Sequence, residues 1–514
     1  MVLTFAPFGW WWLQPVLLAL LFLLWHGAPA RRAALLGFVF GMGWFCGGVS
    51  WVYVSLHDVG GMPAPIAALA VLLFAAILAG YTALAGYLQA RLGDHGAEAR
   101  KAGRASHWTH WLLTVPAAFT FTEWLRGWVF TGFPWIAPGY AHSDGPLAGY
   151  AALAGEHGLT FLTLVAASLV AQGLQGMMQR KPLVQAVLQP AACLIFLCAT
   201  GVGLRMVAWT QPLGQPLSVS LLQGNIPQEL KFVPGRFEST LDRYARFAAA
   251  SRASLIVLPE TALPRMLHTL PREYLLGLDQ MASARGATII AGVPRAERSA
   301  SVSGISGAGG STSSGASNST SSVRYFNSAI TLGREAGQGY DKSHLVPFGE
   351  FIPFGFRWFV ALMNMPLGDF TSGTSLQQPV TVRDQRVAIN ICYEDLFGEE
   401  IIRQLPAATL LLNLSNVAWF GDSLAPHQHL QASRMRALET GRVMLRATNT
   451  GASAVIDHQG GVTHALPFFS EGVLNAEVQG RSGTTPFTHT GNWLVISFCV
   501  GVLLWAGWRR TKGR

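Results

Sequence analysis

The chain has little charge. Of its 514 residues only 12% are Asp, Glu, Lys or Arg, while half are hydrophobic and 17 are tryptophan. Soluble domains carry about twice that charged fraction, which excludes a chain built of aqueous domains alone. Cysteine is scarce too, five in all. Cys46, Cys193, Cys198 and Cys499 lie in long apolar stretches, where a thiol is usually a small buried hydrophobe, so a disulfide framework is not expected. There is no HExxH and no Cys/His ligand set. The histidines of Pro426-His-Gln-His429 stand without companions, which argues against a metal site, and no cofactor is expected. Basic residues do not track one soluble face, so the net charge of +9 does not describe a nucleic-acid surface.

Long apolar runs are what the chain does have. Spans are expected at 10–26, 33–56, 64–90, 108–130, 156–178, 185–208 and 490–508, seven helices of roughly bilayer-crossing length. Arg31 and Arg32 follow the first, Arg91, Arg100, Lys101 and Arg104 the third, Arg180 and Lys181 the fifth, and Arg509, Arg510, Lys512 and Arg514 the last. The alternate loops, 57–63 and 131–157, contain no Lys or Arg. Basic loops stay inside, so the sixth span delivers the region that follows to the outer face and the last span returns to the cytoplasm. This gives a helical membrane domain over 1–209, an outer domain over 210–488, and a final helix with a basic tail over 489–514. The N-terminus falls outside. Its opening Met1-Val-Leu-Thr lacks the basic region of a cleaved signal peptide, which leaves room for an additional upstream span.

Within 210–488 the pattern turns to short strands, at 217–223, 254–259, 287–293, 326–332, 387–392, 408–414, 443–448 and 452–456, with helices at 235–251, 271–285 and 426–441. Continuously apolar strands are buried on both faces, which predicts a layered α/β sheet. Residues 299–322 are almost all Ser, Gly, Thr and Ala and read as a flexible insertion.

Three strand ends carry candidate chemistry: Glu260 in Leu258-Pro-Glu-Thr261, Lys342 with Glu350 in Asp341-Lys-Ser-His-Leu-Val-Pro-Phe-Gly-Glu350, and Cys392 in Ile391-Cys-Tyr-Glu-Asp395. A thiol with an ordinary pKa near ~8.5 is mostly protonated at neutral pH, so a carboxylate is needed to take its proton during attack. The attacked carbonyl develops negative charge, which a lysine ammonium and a backbone N–H can stabilise. Taken singly, each residue has a bland alternative: a solvated glutamate, a surface lysine, a core cysteine.

Together these motifs resemble the nitrilase, or carbon–nitrogen hydrolase, superfamily. With the membrane spans, with Gly132-Phe-Pro-Trp135, Gln223-Gly-Asn-Ile-Pro-Gln228 and Trp419-Phe-Gly421, the chain resembles the bacterial apolipoprotein N-acyltransferase family over nearly its whole length. The resemblance implies a four-layer αββα domain facing the periplasm on a multi-span helical base in the inner membrane. It implies Glu260 as general base, Lys342 as oxyanion stabiliser and Cys392 as nucleophile, with Glu350, Tyr393 and Glu394 in support. The expected reaction passes an acyl chain from a phospholipid, through a Cys392 thioester, to a diacylglyceryl-modified apolipoprotein, with a monomer at work in the bilayer. A membrane-tethered amidase or an inactive binding module are the competing readings. This sequence departs from the family in having seven expected spans rather than eight, Lys231-Phe232 in place of Lys-Trp, and Val417 in place of a common aspartate.

Four further segments each leave two readings open. Phe351 to Phe359 reads as an apolar arm or a packing segment. Glu123 and Arg126 read as a structural ion pair or a headgroup contact. Trp419 and Phe420 line the pocket or belong to the core, and Arg434, Arg436, Arg442 and Arg446 form a solvated or salt-bridged face.

Overall fold

The computed structural model describes residues 1–93, 108–231, 233–298, 323–352 and 370–512. The 299–322 insertion and residues 353–359 of the aromatic arm lie outside them.

Helices occur at all seven places where spans are expected: Leu13–Trp25, Ala30–Gly48, Ala64–Leu92, His110–Thr114 running into Val115–Arg126, Ala151–Met178, Val184–Leu188 running into Gln189–Arg205, and Trp493–Lys512. Among the described residues, four stretches are long and apolar enough to cross a bilayer alone: Ala64–Leu92, Ala148–Met178, Val184–Arg205 and Trp493–Lys512. Ala30–Gly48 makes a fifth if joined to Trp51–Val59 across a 51° bend. The first expected span is shorter than its apolar run suggested, because only the 13 residues of Leu13–Trp25 are helical, about 20 Å of rise. The fourth carries Glu123 and Arg126 in its last turn. Large side chains such as Leu35, Val39, Ile77, Ile195, Phe196 and Leu504 stand exposed around these helices, as a lipid-facing surface requires. Small residues bring helices together: a Cβ on Gly37 would lie 2.5 Å from the Thr82 carbonyl.

Among the described residues after 209, the strands form two six-stranded sheets. The first has the order β12-β1-β2-β3-β4-β5, built from β1 (Thr210–Gln223), β2 (Leu255–Leu258), β3 (Thr288–Arg298), β4 (Val323–Gly333), β5 (Gly339–Asp341) and β12 (Gly472–Gly483). The second has the order β11-β10-β9-β8-β7-β6, from β6 (Val380–Val382), β7 (Gln385–Ile391), β8 (Leu410–Ser415), β9 (Val443–Thr448), β10 (Ala454–Ile456) and β11 (Val462–Ala465). Strands β1, β2 and β3 run parallel, as do β7, β8 and β9.

Alternation along each strand sorts the layers. Val387, Ile389 and Ile391 meet Val219, Leu221 and Val257 in a core between the sheets. Ile256, Leu258 and Ile289 point the other way, under the helices Phe237–Ala250 and Arg272–Ala284. Ala388, Leu411 and Met444 face Ala437 of the helix Ala425–Thr440. The observed order is therefore the expected αββα. The far side of the 425–440 helix does not meet solvent: Ala425, Ala432, Met435 and Leu438 join the core of the membrane helices with Trp135 and Tyr140.

Candidate active site

Cys392 stands where β7 stops. From Val387 onward β7 is buried on both faces, and the chain then turns into the short 3-10 segment Cys392–Leu396. The turn sets Cys392 at φ +54°, a left-handed conformation that costs a non-glycine residue about 1–3 kcal/mol and persists only where its surroundings hold it. Here they do. The Cys392 carbonyl accepts from Asn413 Nδ2 and His429 Nε2, each at 3.1 Å. Two residues on, the buried Glu394 carboxylate accepts from the backbone N–H groups of Ile391 (2.6 Å), Ser343 (2.7 Å) and His344 (3.0 Å), and from the Tyr340 hydroxyl (2.9 Å). Glu394 thus ties the cysteine turn to the loop that carries Lys342.

Glu260 and Lys342 leave the first sheet at the ends of β2 and β5 and meet over β4. Lys342 Nζ lies 2.8 Å from Glu350 Oε2 and 3.8 Å from Glu260 Oε1. Asn327, on β4, donates through Nδ2 to both carboxylates at 2.7 Å, and the Asn416 N–H donates to Glu260 Oε2 at 2.8 Å. All five residues are at most 9% exposed. Gly292 makes the Glu260 turn possible, since a Cβ there would sit 2.4 Å from the Pro259 carbonyl and 2.7 Å from Glu260 Cα.

The electrostatics divide the labour. Burial works against the Lys342 charge, but the Glu350 and Glu260 carboxylates hold its pKa above the ordinary lysine value, so it is an ammonium. Burial, with Glu260 adding to it, pushes the Cys392 thiol well up, although Lys342 pulls the other way. The resting site is therefore a protonated thiol facing a carboxylate and a fixed cation. Such a set can form a thiolate only by handing a proton to its neighbour as it attacks. Among the described residues there is no cluster of three metal-ligating side chains.

Two family descriptions match the chain: "Apolipoprotein N-acyltransferase N-terminal domain" over residues 1–169 and "Carbon-nitrogen hydrolase" over residues 215–487. The apolipoprotein N-acyltransferase of Ralstonia nicotianae is 46% identical over 99% of this chain and 91% of its own length. That of Nitrosomonas europaea is 43% identical over 98% and 94%. The chain belongs to the apolipoprotein N-acyltransferase family. It is accordingly an enzyme, an acyltransferase with a nitrilase-like domain. A carbon-nitrogen hydrolase from Helicobacter pylori is 15% identical to it, covering 51% of this chain and 89% of that one, with a TM-score of 0.35.

Within this family member, Glu260, Lys342, Cys392, Glu350 and Glu394 converge on one site. Tyr393 does not point at the carboxylates: its hydroxyl donates to the Gly132 carbonyl of the membrane domain at 2.9 Å. Trp419 and Phe420 lie at the seam with the membrane helices. Phe420 packs edge-on against Trp51 at 4.6 Å, and the Trp419 carbonyl accepts from Ser55 Oγ at 2.8 Å. Glu123 and Arg126 form a buried ion pair at 2.5 Å. Of the two readings of the four arginines, the salt-bridged one holds for Arg434, Arg436 and Arg446, and the solvated one is corrected for Arg436, Arg442 and Arg446. Arg436, Arg442 and Arg446 are at most 2% exposed: Arg436 meets Tyr140 of the membrane domain, Arg446 lies between β9 and the 425–440 helix against Asn413 and Ser433, and Arg442 is enclosed by the loop and strand whose carbonyls it bonds. Arg436 pairs with Glu439, Arg446 with Asp395 and Arg434 with Asp144, while Arg442 donates to the Ala408 and Gly483 carbonyls.

Sequence reasoning missed Asn327, Asn416 and the group of Asp395, His429 and Arg446 behind the cysteine. It named Lys231 only as part of the Lys231-Phe232 pair and gave it no role, although this buried lysine donates through Nζ to the Glu260 carbonyl at 3.2 Å. A lone lysine between apolar residues was the available signal for it.

Proposed function

We propose that this enzyme moves an acyl chain from a membrane phospholipid to the α-amino group of an apolipoprotein's N-terminal diacylglyceryl-cysteine, in two half-reactions through a thioester on Cys392. In the first, Cys392 Sγ attacks an ester carbonyl and its proton passes to Glu260. Lys342 and a backbone N–H of the cysteine turn stabilise the oxyanion. Collapse breaks the ester C–O bond, Glu260 returns the proton to the glyceryl oxygen, and a lysophospholipid leaves. In the second, the acceptor amine attacks the thioester, Glu260 removes an amine proton, and the sulfur regains it as the amide forms. Glu350 keeps Lys342 charged and aimed, and Glu394 with Tyr393 positions the turn. Trp419 and Phe420 act at the membrane seam.

The observation that carries this reading is the placement of a strained cysteine beside a buried Glu–Lys–Glu set, in a turn bonded directly to a membrane loop. Membrane confinement orients an anchored amine and raises its effective concentration, so that water need not intercept the thioester. An amidase for small soluble substrates has no use for these helices. We further assign 1–209 and 489–514 to the bacterial inner membrane and 210–488 to its periplasmic side, on the strength of the basic loops, with one chain carrying a complete site.

The test is to incubate the purified protein with acyl-labelled phospholipid and search for a thioester on Cys392 by mass spectrometry. Label is expected on wild type, absent from Cys392→Ala, and transferable to a diacylglyceryl peptide. An unlabelled wild type, or equal labelling of Cys392→Ala, would sink the mechanism. Loss of the label to water alone would indicate a hydrolase.

A further inference from the structure

The site holds one lysine between two carboxylates and a second lysine with none. Lys231 ends the short helix Gln228–Lys231, which follows β1, and it is 2% exposed. Among the described residues, its Nζ has one hydrogen-bond acceptor, the neutral Glu260 carbonyl at 3.2 Å, and no carboxylate at ion-pair distance. An ammonium has three donors and a large hydration energy to lose on burial, so this charge is under-compensated. Lys342 differs, because Glu350 and Glu260 already neutralise most of its field. The titratable groups that act on Lys231 are the Glu260 carboxylate and the Cys392 thiol, the pair that exchanges a proton during attack.

We propose that Lys231 is a second cationic stabiliser of Cys392 acylation, its ammonium anchored on the Glu260 carbonyl and offsetting the negative charge that appears as the thiol attacks an ester. The inference rests on Cys392 being the nucleophile. As the Sγ–C bond forms, the thiol proton passes to Glu260 and the carbonyl π pair moves onto oxygen. Expulsion of the glyceryl oxygen, which takes that proton, restores the charges. Glu260, Glu350 and Lys342 together carry one net negative charge before attack, and attack moves that charge from Glu260 onto the carbonyl oxygen as the base takes the thiol proton; Lys231 offsets it in a site that excludes water, where a fixed cation acts most strongly. Burial pushes Lys231 down to about 8, against the pull of Glu260 and Cys392, so the stabilisation is present at neutral pH and fades above it.

The experiment uses the full chain in detergent with labelled phospholipid and no acceptor, so that no acceptor amine titrates, and follows single-turnover acylation of Cys392 from about pH 6 to about pH 10. The wild-type rate is expected to fall as pH rises through about 8. Lys231→Met should be slower by at least about tenfold at neutral pH, short of the hundredfold typical of a direct oxyanion donor, and should lack that fall. Lys231→Arg should recover most of the rate and hold it to the top of the range. A Lys231→Met protein with the wild-type rate and basic limb overturns the proposal, as does one whose rate falls only with its folded fraction, or a Lys231→Arg no better than Lys231→Met. If wild type takes no label at all, it is the nucleophile reading that has failed, before any lysine variant is compared.

Discussion

Replacing Asp395 by Asn tests how the turn that carries Cys392 is held. Asp395 is fully buried, and its carboxylate accepts from His429 Nε2 at 2.7 Å, from Arg446 Nη1 at 3.0 Å and from Ser433 Oγ. Arg446 is equally buried, and among the described residues Asp395 is its one carboxylate partner. Arg446 Nη2 lies 3.0 Å from His429 Nδ1 and can only donate. Nδ1 therefore accepts, and the ring proton sits on Nε2, where it reaches both Asp395 and the Cys392 carbonyl. Asparagine keeps an acceptor but not the charge. Leaving one member of a buried ion pair uncompensated costs about 3–5 kcal/mol, which for a domain of this size lowers the unfolding midpoint by about 10 °C.

The same group sets an acid limit in the wild type. Burial opposes the charge on Asp395, but His429 and Arg446 hold its carboxyl below the usual range. A depressed carboxyl stabilises the fold above its unfolded value of about 3.9, and that share is lost as pH falls through the folded value. Burial and Arg446 keep His429 neutral by lowering its pKa. A histidine that binds fewer protons folded than unfolded contributes fully above about pH 6.5 and loses up to about 1.4 kcal/mol per unit below it. Wild type should therefore weaken progressively from about pH 6.5 downward, in thermal scans in detergent, with Cys392 acylation measured per folded molecule. An Asp395→Asn midpoint within about 2 °C of wild type, or a wild-type midpoint flat from about pH 7 to about pH 5, would refute the reasoning.

Two further substitutions probe the carboxylates. Glu350→Gln keeps the shape of the side chain but removes the anion 2.8 Å from Lys342 Nζ, leaving Glu260 at 3.8 Å as the remaining carboxylate; Lys342 should then draw onto the proposed base, and single-turnover acylation should fall by about a hundredfold, a rate within threefold of wild type counting against the supporting role. Gly292→Ala puts a Cβ against the Pro259 carbonyl and should cost about 1–3 kcal/mol of stability with a disproportionate loss of acylation, because a displacement of about 1 Å can cost about a hundredfold in rate; an unchanged rate would mean that the Glu260 turn shifts without consequence.

What could be read from the sequence divides along physical lines. The strands β2, β7, β8 and β9 announced themselves because burial on both faces leaves runs that are largely apolar, each of the last three broken by one polar residue (Asn390, Asn413 and Arg446 in turn). Strand β12 did not: it pairs only with β1 at the edge of its sheet, so Gly472 to Gly483 carries polar residues and glycines that resemble a loop. Strands β5 and β6 are three residues each, too short to show a period. Glu260, Lys342 and Cys392 were legible because each ends a recognisable strand or loop motif. Asp395, His429 and Arg446 were not, since register rather than local sequence assembles them: Asn390, Asn413 and Arg446 face one another across β7, β8 and β9. The salt-bridged alternative for the arginines held for Arg434, Arg436 and Arg446, but the burial of Arg436 was not legible, because the second apolar surface that covers its helix comes from residues hundreds of positions away.

That second surface also explains why the helices belong to the site rather than merely beneath it. Arg126, paired with Glu123, donates to the carbonyls of Phe133 and, at 3.0 Å, Trp135, folding the loop that begins at Thr131 back over the end of its helix. This loop then bonds to three of the segments around the cysteine. His344, two residues beyond Lys342, has Nε2 3.0 Å from the Thr131 carbonyl. Tyr393, the residue after Cys392, is bonded to Gly132. Trp135 Nε1 donates at 2.6 Å to Gln428, the neighbour of the histidine that holds the Cys392 carbonyl. A cysteine at positive φ keeps its geometry only while its surroundings over-determine it. Here part of that determination comes from a buried ion pair at a membrane helix end, so the membrane domain shapes the nucleophile's turn as well as supplying the surface from which lipid substrates would arrive.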